Sequence, residues 1–448
     1  MINSVDGQSS EETFTDQFST INDFTNKQMK DPNQHVDEKG SDCEDTSDQV
    51  EQPDQQAKNS SQINGAKQDI ITLPSDDVVP SAEGNLQISS AQSGDSLQAD
   101  WRKKWGLCCI KIVLGIAGLL FVFALFALYV VIPCLFYWST KFRRKMVFRT
   151  FSGASTGSFS DPESLGINCS QNFYVSSDQG IRLGTWYVQS HALPCSLNRT
   201  VFLGTPMTAL YIHGVSGDRK SAARVNTLKV LSASAKLHVV TFDFRGFGDS
   251  TDVTPSLEGV VRDTLAVYKS IRAIIPSQKI IVWGHSLGSS IALYLLAQLK
   301  KMNDSPFAVV LESAFDNLGT VSKVTPYSKL WQWMPCFNAL VPDSIMSDPA
   351  TMFDSVKQAN KLQPSLPILM LHSEDDNVVP VGHGKLLHSA LVSARKDDPA
   401  SGPVIFISFK ASHNYGHNNI ATYPGLKGII ERFLNFSKSM PIMSPPLR

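Results

Sequence analysis

Lys279-Ile280-Ile281-Val282-Trp283-Gly284-His285-Ser286-Leu287-Gly288 is the stretch that decides the fold class of this 448-residue chain. It opens on an apolar run, KIIVW, and is followed by the helix-like ALYLLAQL, residues 292–299. A G-x-S-x-G between a strand and a helix is a sharp turn that lifts the serine hydroxyl off the strand. It also sets that hydroxyl at a helix N-terminus, where the helix dipole and free N–H groups favour developing negative charge. So tight a turn needs small neighbours, and Gly284 and Gly288 supply the room. Ser286 is therefore read as a nucleophile. The N–H of Leu287, directly after it, is read as one donor to an oxyanion.

Outward from this turn, short apolar runs alternate with longer amphipathic ones. The predicted strands are Ala209–His213, His238–Asp243, Lys279–Gly284, Ala308–Glu312, Pro367–His372 and Val404–Phe409. Most are apolar on both faces, as central parallel strands are. Predicted helices lie between or after them at Arg219–Ser234, Ser256–Ala273, Leu287–Lys300, Gly382–Val392 and Tyr423–Phe436. This order predicts an α/β fold, a mostly parallel sheet with helices on both faces. Apolar segments at Phe173–Val175 and Arg182–Val188 are expected as antiparallel strands at one edge. One stretch, from Ala314 to about Asp348, holds Trp331, Trp333, Met334, Phe337 and Leu340 but no clear strand. A connection of that length usually has a purpose, and a helical cap over the site (about 314–348) is the preferred reading over plain packing on the core.

A serine hydroxyl needs a base, and the chain order that accompanies this turn is Ser, acid, His. After the last strand the sequence reads Ser412-His413-Asn414-Tyr415-Gly416-His417. Both histidines are candidates; His417, just after a glycine in the loop feeding the final helix, is preferred. The acid follows the penultimate strand, where Glu374, Asp375 and Asp376 compete in His372-Ser373-Glu374-Asp375-Asp376-Asn377-Val378-Val379-Pro380. A D-x-x-V-P pattern selects Asp376, leaving Asp375 and Glu374 to brace the loop or face solvent, with Glu312 as a further alternative. The second oxyanion donor is expected from the loop His213-Gly214-Val215-Ser216-Gly217, at Val215, with His213 bracing the loop. Arg245 and Asp249 in Asp243-Phe244-Arg245-Gly246-Phe247-Gly248-Asp249-Ser250 are expected to pair or cap locally. No metal-type spacing of Cys or His occurs, and acyl transfer on such a site calls for no cofactor or metal.

The N-terminal third is of another kind. Residues 1–100 hold about 20 of the 41 acidic residues and about five of the 40 basic ones. They lack Trp and Tyr and have three Phe, at Phe14, Phe18 and Phe24. Such a segment buries too little apolar surface to offset the entropy of ordering it, and is read as a disordered acidic tail. From Ile112 to Trp138 there is no charged residue, enough to cross a bilayer as a signal-anchor helix. Basic residues flank both ends, so charge does not orient the span. Sequons follow it at Asn168, Asn198, Asn303 and Asn435, and another lies in the tail at Asn59. A Cys169–Cys195 disulfide is open to form if that side is oxidising. The remaining partition is a catalytic domain over 140–437 and a short tail over 438–448.

Together, GINCSQNFYV (Gly166–Val175), YIHGVSGDR (Tyr211–Arg219), VVTFDFRGFGDS (Val239–Ser250), VWGHSLGSS (Val282–Ser290), VLESAFDN (Val310–Asn317), LHSEDDNVVP (Leu371–Pro380) and HNYGH (His413–His417) resemble the α/β-hydrolase superfamily. More narrowly, they resemble its membrane-bound lysophospholipid and monoacylglycerol lipases, the α/β-hydrolase-domain type 12 group. The resemblance covers residues 140–437 and the preceding span. It departs at the long acidic tail and at HGVSG, where HGNAG is usual; the oxyanion donors are backbone groups and survive that change. The resemblance implies nucleophile, acid and base at Ser286, Asp376 and His417. It also implies a glycosylated Asn168, and hence a lumenal catalytic domain with a cytosolic N-terminus on a single-pass span in the endoplasmic reticulum membrane. The implied activity is cleavage of the acyl ester of lysophosphatidylserine or a monoacylglycerol drawn from the membrane. Protein or acyl-CoA thioester hydrolysis and an inactive membrane scaffold are the rival readings. No nucleic-acid partner is implied.

Overall fold

The computed structural model describes residues 92–439 except 152–154, 156, 179 and 197–205. Most of the acidic tail and Asn198 therefore lie outside the described residues. The strands are β1 (Ser170–Ser176), β2 (Arg182–Val188), β3 (Thr208–Ile212), β4 (His238–Phe242), β5 (Ile280–His285), β6 (Ala308–Glu312), β7 (Ile368–Ser373) and β8 (Val404–Phe409). They form one sheet in the order β1-β2-β4-β3-β5-β6-β7-β8. β1 and β2 are antiparallel at one edge, and the six strands from β4 to β8 run parallel.

The apolar runs read from sequence became the central strands because both their faces are covered. Every residue of β3, β4, β5, β6 and β7 is buried. The edge strand β8 alternates buried and half-buried positions, as a strand covered on one face does. Predicted strand ends differ from the observed ones by one residue at several positions, a shift set by where ladder bonds stop rather than by apolar content.

The helix Leu257–Arg272 shows why these segments are helical. Val260, Val261, Val267, Tyr268 and Ile271 are buried on one face. Ser256 Oγ accepts the Gly259 N–H at its start, and Lys269 and Arg272 occupy its last turn, where cations complement the dipole. By contrast, the helix expected from Arg219 begins at Ala222. Arg219 is fully buried and donates to Asp243 and Asp249, which holds the chain out of a helix until Ser221. This also corrects the expected Arg245–Asp249 pairing. Arg245 donates to Asp263 and Asp178, while Asp249 accepts from Arg219 and Tyr174.

At the N-terminal end an α-helix runs from Gln92 to Phe126, continues through a π-helical turn at Ala127–Val131, and ends at Trp138. It starts inside the segment expected to be disordered. Within it, Gln98–Trp138 is long and apolar enough to cross a membrane and is exposed along most of its length. A short helix, Thr140–Phe148, capped by Ser139 Oγ, joins this span to the sheet domain. Arg143 bridges Asp348 at 2.9 Å with both side chains buried, and also donates to the carbonyls of Phe136 and Tyr137. Removing one partner of such a pair leaves a buried charge uncompensated, which costs about 3–5 kcal/mol.

Residues 314–348 fold into short helical turns, among them Leu318–Val324 and Ser344–Ser347. Their aromatic side chains pack in part on the π-helical turn of the long apolar helix. Trp331 Nε1 donates to the Leu128 carbonyl at 2.9 Å, and the Trp333 ring meets Tyr129 at 5.3 Å. Trp333 is 67 % exposed, whereas Phe337 is buried.

Among the described glycines, the closest approach of other backbone lies beneath Ser286. A Cβ on Gly288 would stand 2.1 Å from the Ile212 carbonyl oxygen, and one on Gly284 2.5 Å from the Gly288 oxygen. Both obstacles are backbone and cannot swing aside. Gly288→Ala is expected to destabilise the detergent-solubilised chain by about 3 kcal/mol or more in chemical unfolding. Gly382→Ala, in the helix Val381–Ser393 with nothing within 4 Å of the added carbon, is expected to be neutral or stabilising by up to about 1 kcal/mol.

Candidate active site

Ser286 stands between β5 and the helix Leu287–Lys301, at φ 54° and ψ −119°. Such a backbone is costly for a residue with a side chain and persists only where surrounding structure holds it. Here the Ser286 N–H donates to the Glu312 carbonyl at 2.8 Å, and Ser289 Oγ donates to the Gly284 and Glu312 carbonyls. The hydroxyl is thereby fixed at the C-terminal edge of the parallel sheet.

The loop after β8 carries His417 to this hydroxyl. Ser286 Oγ donates to His417 Nε2 at 2.9 Å, and His417 Nδ1 donates to Asp376 Oδ2 at 2.7 Å. Asp376 follows β7, and its other oxygen accepts the N–H groups of Val378 and Val379 at 2.9 and 2.8 Å. The run leading to Pro380 thus wraps its own amides around the carboxylate. Burial alone would raise the Asp376 pKa. The hydrogen bonds from His372 and His417 outweigh it and hold the carboxyl well below the usual range. Asp376 is therefore ionised throughout the neutral range and fixes the imidazole with its Nε2 lone pair toward Ser286.

The rival carboxylates go elsewhere. Asp375 accepts the Gly416 N–H at 3.0 Å and the Ser373 hydroxyl, so it braces the turn that presents His417. Glu374 accepts from Ser408 Oγ at the surface. Glu312 receives Trp283 Nε1 at 2.9 Å. His413 is exposed and stacks on Tyr415, with ring centroids 5.5 Å apart.

Two buried histidines shape the loops around the serine. His213 Nδ1 donates to the Gly214 carbonyl at 2.7 Å, and its Nε2 accepts the Phe244 N–H. His285 Nε2 donates to the His417 carbonyl at 2.9 Å, tying the residue before the nucleophile to the base. Burial lowers both pKa values, that of His285 to about 3, so both rings are neutral braces. His285 is a contact that sequence reasoning passed over: the x of G-x-S-x-G has no fixed identity, and its partner lies far along the chain.

Val215 is half-buried on the loop after β3, and among the described residues its N–H has no backbone acceptor. Leu287 is the first helical residue and has no intrahelical acceptor. Both residues flank Ser286. The cleft in front has a volume of about 290 Å³ and is lined by Val215, Ser286, Glu312 and His417, among others, with Tyr327 arriving from the 314–348 segment. Among the described residues no cluster of His, Cys, Asp and Glu could hold a metal ion. Cys169 and Cys195 are disulfide-bonded, and the adjacent Asn168 is exposed.

Residues 210–333 match the family model described as "alpha/beta hydrolase fold". The lysophosphatidylserine lipase ABHD12 of Danio rerio is 34 % identical over 324 residues, 69 % of this chain and 81 % of its own length. That of Macaca fascicularis is 32 % identical, over 70 % of this chain and 80 % of its own. Protein ABHD12B of Homo sapiens is 30 % identical, over 59 % of this chain and 72 % of its own.

Glu312 gives the site a stability signature. Burial pushes its carboxyl up from 4.5 to about 7, partly offset by the Trp283 hydrogen bond. The folded chain thus binds this proton more tightly than the unfolded chain. The contribution is fully present below about 4.5 and is lost as pH rises through about 7. Glu312→Gln keeps an acceptor for Trp283 and has no proton to lose. Its melting temperature relative to wild type should climb between pH 5 and 8 and then level off, with a gain of roughly 2 kcal/mol.

Proposed function

This chain belongs to the family of the lysophosphatidylserine lipases ABHD12, within the α/β hydrolases, and from that membership we propose that it is a membrane-bound serine hydrolase that cleaves the acyl ester of lysophospholipids, lysophosphatidylserine foremost, and of monoacylglycerols, releasing a free fatty acid. The observation that carries this reading is the unbroken hydrogen-bond chain Ser286–His417–Asp376, with links of 2.9 and 2.7 Å.

In the first half-reaction Ser286 Oγ attacks the acyl carbonyl carbon as its proton passes to His417 Nε2. The carbonyl oxygen becomes an oxyanion facing the N–H groups of Val215 and Leu287. Such donors act only as charge develops, and loss of one costs about 100–1,000-fold in turnover. Asp376 stabilises the imidazolium without taking its proton. The tetrahedral species collapses, His417 returns the proton to the glycerol oxygen, and the acyl group stays on Ser286. Water then enters, gives a proton to His417 and attacks the acyl carbon. The fatty acid leaves, and Ser286 recovers its proton.

The span Ile112–Trp138 serves as a single-pass anchor, with residues 140–437 as the catalytic domain and 314–348 as its cap. The cap lies between the cleft, through Tyr327, and the membrane helix, through Trp331 and Trp333. That position suits a substrate that leaves the bilayer sideways. We assign the N-terminus to the cytosol and the catalytic domain to the endoplasmic reticulum lumen. Support comes from the Cys169–Cys195 bond, which belongs to an oxidising compartment, and from the exposed sequon at Asn168. Asn198 is assigned as a second glycan site.

A fluorophosphonate probe should label the wild type and leave Ser286→Ala unlabelled. Purified wild type should release fatty acid from lysophosphatidylserine in a lipid panel read by mass spectrometry; no release from any lipid ester would overturn the assignment. His417→Ala should fall at least about 1,000-fold in turnover and His413→Ala only slightly. Asp376→Asn should approach the His417→Ala loss, with Asp375→Asn far milder. Endoglycosidase treatment should shift the gel mobility of the wild type, and less so that of Asn168→Gln.

A further inference from the structure

Arg224 lies in the first turn of the helix Ala222–Lys229, lines the cleft in front of Ser286 and is only 7 % exposed. Its Nη2 donates to the carbonyls of Gly214 at 3.1 Å and Ser216 at 2.5 Å, on the loop that carries Val215. Its Nη1 is buried and has no hydrogen-bond partner among the described residues. A guanidinium kept at a reaction site with one donor unused is expensive unless a ligand completes it. The carboxylates that attract Arg224 most, Asp243 and Asp218, are committed elsewhere. Asp243 pairs with Arg219, and Asp218 accepts from Ser155 and from the Lys220 amide.

A second cation borders the same cleft. Arg149 follows the helix Thr140–Phe148 in a left-handed conformation, φ 52°, with its guanidinium 4.0 Å above the Tyr327 ring. The Phe148 carbonyl next to it accepts the Ser216 N–H, so Arg149 is tied to the oxyanion loop. The start of the helix bearing Arg224 adds its dipole: Ser221 and Ala223 line the cleft, and Ser221 makes no side-chain capping bond. One acid shares the lining, Glu312, and its Oε2 is held by Trp283.

We propose that Arg224 and Arg149 form a subsite for the phosphodiester of a glycerophosphoryl head group, which selects anionic lysophospholipids over neutral monoacylglycerols. The assignment rests on the lipid-ester reading above and adds the group that recognises the head. Arg224 bonds the oxyanion loop and lines the same cleft as Ser286, so one glycerol ester can offer its phosphate to the guanidinium and its acyl carbonyl to the hydroxyl. Arg224 Nη1 gains its missing acceptor, and Arg149 closes over the phosphate from the membrane side.

The test separates binding from turnover. Calorimetry on full-length Ser286→Ala in detergent should detect glycerophosphoserine, and adding Arg149→Ala should weaken binding about tenfold or more. Arg149→Lys should recover part of the loss, since it keeps the charge without the planar fork. Unchanged affinity in the Arg149→Ala background would overturn the subsite. Inorganic phosphate binding as tightly as glycerophosphoserine would replace the lipid head group by free phosphate and overturn the assignment equally. In the turnover arm, with Ser286 intact, the ratio of kcat/KM for lysophosphatidylserine to that for the monoacylglycerol of the same chain should drop about tenfold in Arg149→Ala. Equal losses on both lipids would mean that Arg149 only supports the fold. If wild type hydrolyses neither lipid, the lipid-ester reading fails, while the calorimetric arm still decides whether the phosphate site exists.

Discussion

Ser286 holds a backbone conformation that its own side chain disfavours, and it can do so because β5, the following helix and the end of β3 meet with no space for a methyl group at Gly284 or Gly288. Helix and strand are pressed together by the buried sheet core, and the only backbone path between them puts the serine hydroxyl outward. The same packing leaves the Leu287 N–H without an intrahelical acceptor. A nucleophile and one oxyanion donor thus arise from a single steric constraint.

Around that point, burial sorts the ionisable groups by the company they keep. His213 and His285 are buried, which lowers their pKa values with nearby arginines adding to the effect, so they stay uncharged and serve as donors to the Gly214 and His417 carbonyls. Asp376 is as enclosed, yet its two oxygens collect amide and imidazole donors, and its charge is retained. Glu312 has one indole donor and rises. Carboxylates of similar burial thus differ because one has enough hydrogen bonds to repay desolvation and the other does not.

The apolar helix Gln98–Trp138 reaches the same loops through the short helix that follows it. Arg143 and Asp348 fasten the helix after the span to the segment 314–348, and the end of that helix takes the Ser216 N–H. The polypeptide leaving the span therefore contacts the loop that bears Val215 within one short helix. Orientation of the cleft relative to the apolar helix follows from buried ionic and backbone contacts, which are stiffer than a linker.

The sequence by itself determined the parallel sheet, through runs such as Ile280–Trp283 and Ala308–Leu311 that are apolar on both faces, and the nucleophile turn, through two glycines at fixed offsets from a serine. These are local patterns, legible because their causes lie within a few residues. It also narrowed the acid and the base to the two loops that hold them. The D-x-x-V-P pattern and the glycine before His417 already favoured Asp376 and His417; the tertiary structure added the contacts that set them apart from Asp375 and His413, since neighbouring residues on one loop differ in direction rather than composition. The partners of Arg245 and Asp249, the late start of the helix after Arg219, the His285–His417 tie and the unpaired donor of Arg224 were out of reach. Each depends on groups brought together across tens of residues by the sheet, and no spacing in the chain encodes which side chain a buried guanidinium or imidazole will meet.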